Sequence, residues 1–377
     1  MIGGFNHIYE VVNMGIKFIQ TSDLHLGMTF KSLGDKSKLH RLDCQNTFSK
    51  IIDLCIKEKV NALLIGGDLF DNPEPPKSLV KFVINELERL EKENVKVFIV
   101  SGNHDPYKKG SIWLEYKFPK NVIIFDSLEL EPKRIDGLTV YGLAYTNDTK
   151  QPLKNFKAEK EDNFKVGLIH GSTTNINWEE EPEAGYRPIT KEDINKSGLD
   201  YIALGHFHDL LDLKTKIPCY YSGTPEGLTF KNGGDRFVLL VSYSNKKVNI
   251  KPIRINEREF HTVELDCTNF ETEQEIKKVL EKHKGENKIL RLILKGSPSL
   301  DFTFDIDMLM KEYESKYFFL KIVDNIHVPE DLTEDETIRG TFIKLTKAEI
   351  KKEKDEDKRK RLENALRIGI GYLDKRL

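Results

Sequence analysis

Residues 60–72 read Val-Asn-Ala-Leu-Leu-Ile-Gly-Gly-Asp-Leu-Phe-Asp-Asn, and no other stretch narrows the choice of folds so far. Ala62 to Ile65 are apolar without alternation, the pattern of a strand covered on both faces. The run ends on two glycines and Asp68. In an open α/β sheet, ligands bind beyond the carboxyl ends of the strands, so Asp68 stands where a site would form. Glycine just before it permits positive φ and close backbone approach. Taken alone, a carboxylate there is more often a cap for the next helix.

The neighbouring segments set the architecture. Gly15 to Asp23 reads as a first strand, and a helix is expected over about 41–59, where Phe48, Ile51, Ile52, Cys55 and Ile56 recur at helical spacing. After the Asp68 strand come Pro73, Pro75 and Pro76, a helix over about 77–93, and a buried strand from Val95 to Val100. This β-α-β-α-β order predicts a parallel or mixed sheet with right-handed crossovers. Beyond residue 120 short strands are expected at Val122–Phe125, Leu138–Leu143, Val166–His170, Tyr201–Leu204, Cys219–Ser222, Phe237–Ser242 and Val248–Pro252. They predict a second sheet packed on the first, hence an α/β fold of four layers, α/β/β/α. Segments 149–163 and 177–187 read as surface excursions.

A smaller C-terminal α+β module is expected from about residue 258 to 344, with strands at Phe260–Leu265, Ile289–Lys295 and Phe318–Asp324 and helices at Thr272–His283 and Ile306–Tyr313. Residues 345–377 read as a charged helical tail, and residues 1–14 as an extension before the main domain of 15–257. Met14 is one reading of the true start; an added edge strand or helical turn at Ile8 to Val12 is the other. In the tail, Leu362, Ala365, Leu366, Gly369 and Leu373 mark one narrow apolar face, which either docks on its own protein or meets a partner's groove.

With 59 Lys and Arg against 61 Asp and Glu, the global field attracts no anion, so an anionic partner needs local basic patches. Lys31, Lys36, Lys38, Lys108 and Lys109 are the loop candidates, although solvated surface explains them equally well. Four scattered cysteines without a CxxC pair read as reduced thiols of a cytoplasmic protein. No membrane span and no secretory signal are expected.

Five strand ends carry ligand-type residues: Asp23-Leu24-His25, Gly67-Asp68, Gly102-Asn103-His104-Asp105, His170-Gly171 and Gly205-His206-Phe207-His208. Any one of these histidines is more often a core or surface residue than a ligand. Yet five of the ten histidines follow apolar strands, two of them beside a glycine. In an extended chain Asp23 and His25 share a face, as do His206 and His208. Imidazole, carboxylate and amide together suit Mn²⁺, Fe²⁺ or Zn²⁺ rather than a thiolate-seeking metal.

The motifs DLH, GGDLFDN, GNHD, HG and GHFH, in this order, resemble those of the calcineurin-like metallophosphoesterases. The protein Ser/Thr phosphatases of that superfamily carry an arginine in the second motif and GNHE in the third, and this chain departs from both. Ser22 to Gly27, GNHD and Tyr221-Ser222-Gly223-Thr224-Pro225-Glu226 are instead similar to the Mre11/SbcD-type DNA repair nucleases. The metal motifs span 16–208 and the nuclease-like likeness reaches about 255. Position and size liken the module after it to that family's capping domain, without a sharp motif.

The resemblance implies two divalent metal ions, Mn²⁺ foremost, that share Asp68. Asp23, His25, Asp68 and His208 would hold one, and Asp68, Asn103, His170 and His206 the other. His104 would face the phosphate and assist the leaving oxygen, with Asp105 orienting its ring. The implied activity is phosphodiester hydrolysis in DNA, as an exonuclease with single-strand endonuclease activity alongside. The implied partners are DNA ends, a Rad50/SbcC-like ATPase gripped by helices after the capping domain, and a second copy of the chain. Two rival functions are a hydrolase of small phosphodiesters or phosphomonoesters and a mainly architectural DNA-end binder. Eight retained site residues weigh against the architectural one.

Overall fold

The computed structural model describes residues 15–146, 151–173, 187–299, 302, 304–327 and 337–374, apart from a few side chains near the C-terminus. The expectations for residues 1–14 and for the acidic loop 177–187, its last residue excepted, therefore lie outside the described residues. The chain divides into two compact units. The first comprises residues up to Leu228 and Gly234–Arg258; the second comprises Thr229–Gly233 and everything from Glu259 onward.

The first unit opens with β1 (Ile16–Thr21), α1 (Ser37–Glu58), β2 (Ala62–Gly66), α2 (Lys77–Lys92) and β3 (Lys96–Val100). Then follow α3 (Ile112–Glu115), β4 (Val122–Ile124), β5 (Glu131–Ile135), β6 (Leu138–Gly142), β7 (Phe164–His170) and α4 (Lys191–Lys196). It ends with β8 (Tyr201–Gly205), β9 (Leu211–Asp212), β10 (Cys219–Tyr221), β11 (Phe237–Ser244) and β12 (Lys247–Arg254). One six-stranded sheet has the order β12-β11-β1-β2-β3-β4, the other β5-β6-β7-β8-β10-β9. β1 through β4 are parallel, as are β6, β7, β8 and β10, while the outer hairpin strands run antiparallel.

Side-chain alternation builds the layers. Phe18, Ala62, Leu64, Phe98, Leu239 and Val241 of the first sheet meet Leu138, Val140, Phe164, Val166 and Tyr201 of the second in one buried cluster. The alternate positions of the first sheet, Leu63, Ile65, Val97 and Ile99, are fully buried as well, as are Phe48, Ile51 and Ile52 of α1 and Val80, Val83 and Leu87 of α2. A separate cluster on the outer face of the second sheet joins Ile169, Ile202 and Leu204 to Ile194 of α4 and Leu153 of a loop. The fourth layer is thus mostly irregular chain. The late short strands do not all enter the second sheet: β4 pairs with the open edge at β3, β11 with that at β1, and β12 with β11, so all three join the first.

The strand ends are in step. Thr21 pairs with Ile65, Gly66 with Val100, and His170 with Gly205, so the loops that follow emerge side by side. The two sheets come into close contact there, and a Cβ on Gly205 would lie 2.0 Å from the Gly66 carbonyl oxygen. Gln20 spans the gap as well: its amide donates to the Tyr220 carbonyl at 2.9 Å and accepts from the Tyr201 hydroxyl at 2.6 Å.

The second unit contains β13 (Glu259–Asp266), α5 (Gln274–His283), β14 (Gly285–Gly296), α6 (Ile306–Tyr313), β15 (Tyr317–Ile326), α7 (Ile338–Lys352) and α8 (Glu356–Asp374). Its three strands are all parallel, making a β-α-β-α-β unit where a looser α+β module was expected. Leu290, Leu292, Leu294 and Leu320 pack against Ile276 and Leu280 of α5 and Leu309 and Tyr313 of α6. α7 and α8 form a helical hairpin around Ile343, Leu366 and Ile370, with Phe342 and Ile350 against them. The expected boundary after residue 344 falls inside α7. No helix among the described residues is long and apolar enough to cross a membrane, and all four cysteines are buried free thiols.

Candidate metal centre

The site residues sit on backbone that turns abruptly at the strand ends. Asp23, His25, Asp68 and His206 have φ of 52°, 45°, 48° and 108°, which L-residues rarely adopt. Gly67, at φ 95°, prepares the turn, and a Cβ there would lie 2.3 Å from His170 Nδ1. The loops after β1 and β2 support each other: Asp23 N donates to Gly67 O, His25 N to Asp68 O and Leu26 N to Leu69 O, each at 3.0 Å. Strain at a site persists only where the surroundings over-determine it, and this ribbon of hydrogen bonds does so.

Asp68 lies at the centre. Its Oδ2 is 3.7 Å from His25 Nε2 and 3.4 Å from His170 Nε2, and its Oδ1 accepts from the His104 amide at 2.8 Å. On one side His25 Nε2 lies 3.3 Å from His208 Nε2, with an Asp23 oxygen in the same group. On the other side Asn103 Oδ1 is 2.8 Å from His170 Nε2 and 3.1 Å from His206 Nδ1. Asp23 accepts the His206 amide at 2.9 and 3.1 Å, which ties the last motif to the first. The seven residues expected as ligands are therefore gathered around one carboxylate.

The donor set fits divalent cations. His170 Nδ1 is 2.8 Å from the Gly66 carbonyl, which can only accept; the proton thus sits on Nδ1 and the Nε2 lone pair points inward. That lone pair faces the Asn103 carbonyl oxygen and an Asp68 oxygen. His25 is oriented alike, with Nδ1 3.2 Å from the Asp71 carboxylate and Nε2 toward His208. Acceptor facing acceptor is repulsive unless positive charge lies between. The same crowding of buried charge shifts how tightly these groups hold their protons. Burial, then the neighbouring Asp68 charge, pushes Asp23 up to about 7. Burial alone would lower His25, yet Asp71, Asp68 and Asp23 outweigh it and hold the imidazole at about 9. Burial, then His25, drives His208 down to about 3, leaving it neutral and able to bind a metal.

His104 lies at the rim, its side chain 34% exposed where those of His25 and Asp68 are 2%. Its ring meets the His25 ring edge-on at 4.5 Å. His104 Nδ1 is 3.1 Å from the Asp71 carbonyl and 3.9 Å from the Asp71 carboxylate. Asp105 is fully buried, and its carboxylate accepts the amides of Gly102 at 2.8 Å and Phe70 at 3.0 Å. It bolts the third loop to the second, and the carboxylate beside the His104 ring is Asp71. Asp71 is the residue that sequence reasoning passed over. Its signal was the repeat of aspartate three positions after Asp68, beyond the strand end. Lys31, Lys36, Lys38, Lys108 and Lys109 are all at least partly exposed.

The family model for calcineurin-like phosphoesterases matches residues 16–210. A metallophosphoesterase of Bacillus subtilis strain 168, YhaO, is 27% identical over 300 residues, 75% of this chain and 72% of the relative. The DNA double-strand break repair protein Mre11 of Sulfurisphaera tokodaii is 28% identical over 314 residues, 79% of this chain and 77% of its own length. That of Methanococcus maripaludis is 21% identical over 364 residues, 91% of this chain and 92% of the relative.

Proposed function

The chain belongs to the calcineurin-like phosphoesterase family, whose members hold a dinuclear metal centre, and on that premise we propose that it is a DNA nuclease of the Mre11/SbcD type. The observation that carries the reading is the convergence on Asp68 of Asp23, His25, Asn103, His170, His206 and His208 with their acceptor atoms facing inward. Asp23, His25, Asp68 and His208 are assigned to one ion, and Asp68, Asn103, His170 and His206 to the other. Two ions bound there supply an activated water and stabilise charge on the attacking and leaving oxygens. Mn²⁺ is the proposed ion.

The protein's own groups do the rest. Asp71 holds the Nδ1 atoms of both His25 and His104, which leaves His104 Nε2 for the substrate side. From the rim, His104 donates a proton or hydrogen bond to the departing sugar oxygen. Asp23, His25, Asp68 and His170 are buried, whereas Asn103, His206 and His208 are partly exposed. The names and coverage of the Mre11 relatives support DNA as substrate, and the motif likeness to the Mre11/SbcD-type nucleases is what suggests a Rad50/SbcC-like ATPase as partner. Ile338, Leu345 and Tyr372, exposed at 80%, 64% and 72% on the α7–α8 hairpin, are the proposed grip for that partner.

The test is Mn²⁺-dependent digestion of double- and single-stranded DNA labelled at either end, beside a nitrophenyl phosphodiester. Preferential release of nucleotides from DNA ends is expected. Turnover of the small ester alone would reassign the chain to small phosphoesters. Deleting 337–377 should leave digestion intact and abolish co-purification with the ATPase; undiminished association would move the grip elsewhere.

A further inference from the structure

Among the proposed ligands, His208 has an unusual backbone anchor. Its carbonyl accepts two hydrogen bonds, from the Thr224 amide at 2.9 Å and from Arg236 Nη1 at 3.0 Å. The same Nη1 donates to Asp209 Oδ1 at 2.7 Å, so one guanidinium nitrogen grips two consecutive residues of the ligand loop. The Arg236 side chain is only 5% exposed, whereas Asp209 is 51% exposed. Burying a guanidinium costs several kcal/mol before its partners compensate, and an apolar residue of equal volume would fill the space more cheaply. A buried charge aimed at a main-chain carbonyl is what geometric control of a loop requires.

Arg236 is itself held from behind. Its amide donates to Asn256 Oδ1 at 3.1 Å and its carbonyl accepts from Ile255 N at 2.9 Å. The Asn256 side-chain amide donates to the carbonyls of Gly234 at 3.3 Å and Arg258 at 2.6 Å. On the other side of His208, Gly223 leaves no slack, since a Cβ there would lie 2.6 Å from the His208 oxygen. The carbonyl is thus fixed between two rigid supports, which places the main chain from which the imidazole extends.

We propose that Arg236 is a positioning residue of the metal centre: its guanidinium sets the His208 main chain and thereby the angle at which His208 Nε2 meets the ion. The proposal rests on the assignment of His208 as a ligand. It concerns binding of the metal, so its effect is read without turnover.

The experiment titrates Mn²⁺ into the full-length protein by calorimetry, comparing wild type, His208→Ala, Arg236→Met and Arg236→Lys, with a thermal melt for each. Arg236→Met should weaken one of the two sites by roughly 10–100-fold and leave the other unchanged, the usual range for a residue that supports a ligand. Arg236→Lys, which keeps the charge and one donor, should recover part of that loss. Two unchanged affinities in Arg236→Met, with only a lowered melting temperature, would overturn the proposal and leave Arg236 a packing residue. If Arg236→Met fails to fold, Arg236→Lys is read in its place, and unchanged affinities there overturn the proposal equally. His208→Ala separates the two levels: should it keep both sites at full affinity, the ligand assignment itself has failed, whatever Arg236 does.

Discussion

The two units bury different kinds of residue. Every polar or charged residue that is buried among the described residues, from Gln20 to Asn256, belongs to the first unit. The second unit's core is Leu, Ile, Phe and Tyr with Cys267. Backbone strain divides the same way: non-glycine residues with positive φ, among them Asp23, His25, Asp68 and His206, all lie in the first unit. Buried polar groups and left-handed turns each cost stability unless surrounding bonds compensate. The second unit follows every local rule of a packed β-α-β-α-β fold. The first breaks those rules at many turns, and Asp23, His25, Asp68 and His206, all proposed ligands, are four of those breaks. Departures from local rules collected at one end of two sheets are what a chemical site looks like before any substrate is known.

That contrast can be attacked from both sides. The largest effect is expected from Asp68→Asn, which removes the carboxylate shared by both halves of the site. Phosphodiester hydrolysis should be lost, and calorimetry should find fewer than two Mn²⁺ ions bound; two ions at wild-type affinity would end the shared-ligand assignment. His104→Ala should keep both ions and slow cleavage roughly 10²–10⁴-fold, if proton donation is its task. Unchanged turnover would place that task on another group. A milder effect is expected from Asp71→Asn, which keeps an acceptor beside His25 and His104 but removes its charge. Rate or metal affinity should fall roughly 10–100-fold, and an effect smaller than twofold would show that the Asp71 main-chain carbonyl suffices. The smallest effect on the site should come from the second unit. Leu292 is fully buried there, and Leu292→Ala should destabilise that unit by roughly 2–5 kcal/mol with Mn²⁺ affinity unchanged. A shift in Mn²⁺ affinity in that variant would mean that the units are not energetically separate.

The elements legible in advance were those with strong periodicity. α2 at Lys77–Lys92 and α6 at Ile306–Tyr313 lie where the pattern put them, because an amphipathic stripe carries its own instruction. β5 and β9 were missed, being edge strands made of Glu-Pro-Lys-Arg-Ile and Leu-Asp, whose conformation comes from the neighbour they pair with. Of the tail's expected apolar stripe, Leu366 packs into the α7–α8 hairpin, Leu362, Gly369 and Leu373 are half-buried and Ala365 is exposed, while Ile370, outside that stripe, is buried.

The chain's local chemistry was sufficient to place most strands and helices, the order of the motifs and the ligand-type residues at the strand ends, since each depends on residues a few positions apart. What needed the folded molecule was direction. His25 and His208 are 183 positions apart, and only the packing of two sheets end to end brings their Nε2 atoms to 3.3 Å. Asp105, adjacent to His104 in sequence, is turned to the amides of Gly102 and Phe70, while Asp71, 33 positions away, meets the His104 ring. Sequence proximity does not fix side-chain direction where the backbone turns sharply. Which carboxylate serves which imidazole is decided by the crossing of loops from different strands, and that crossing exists only after both sheets have formed.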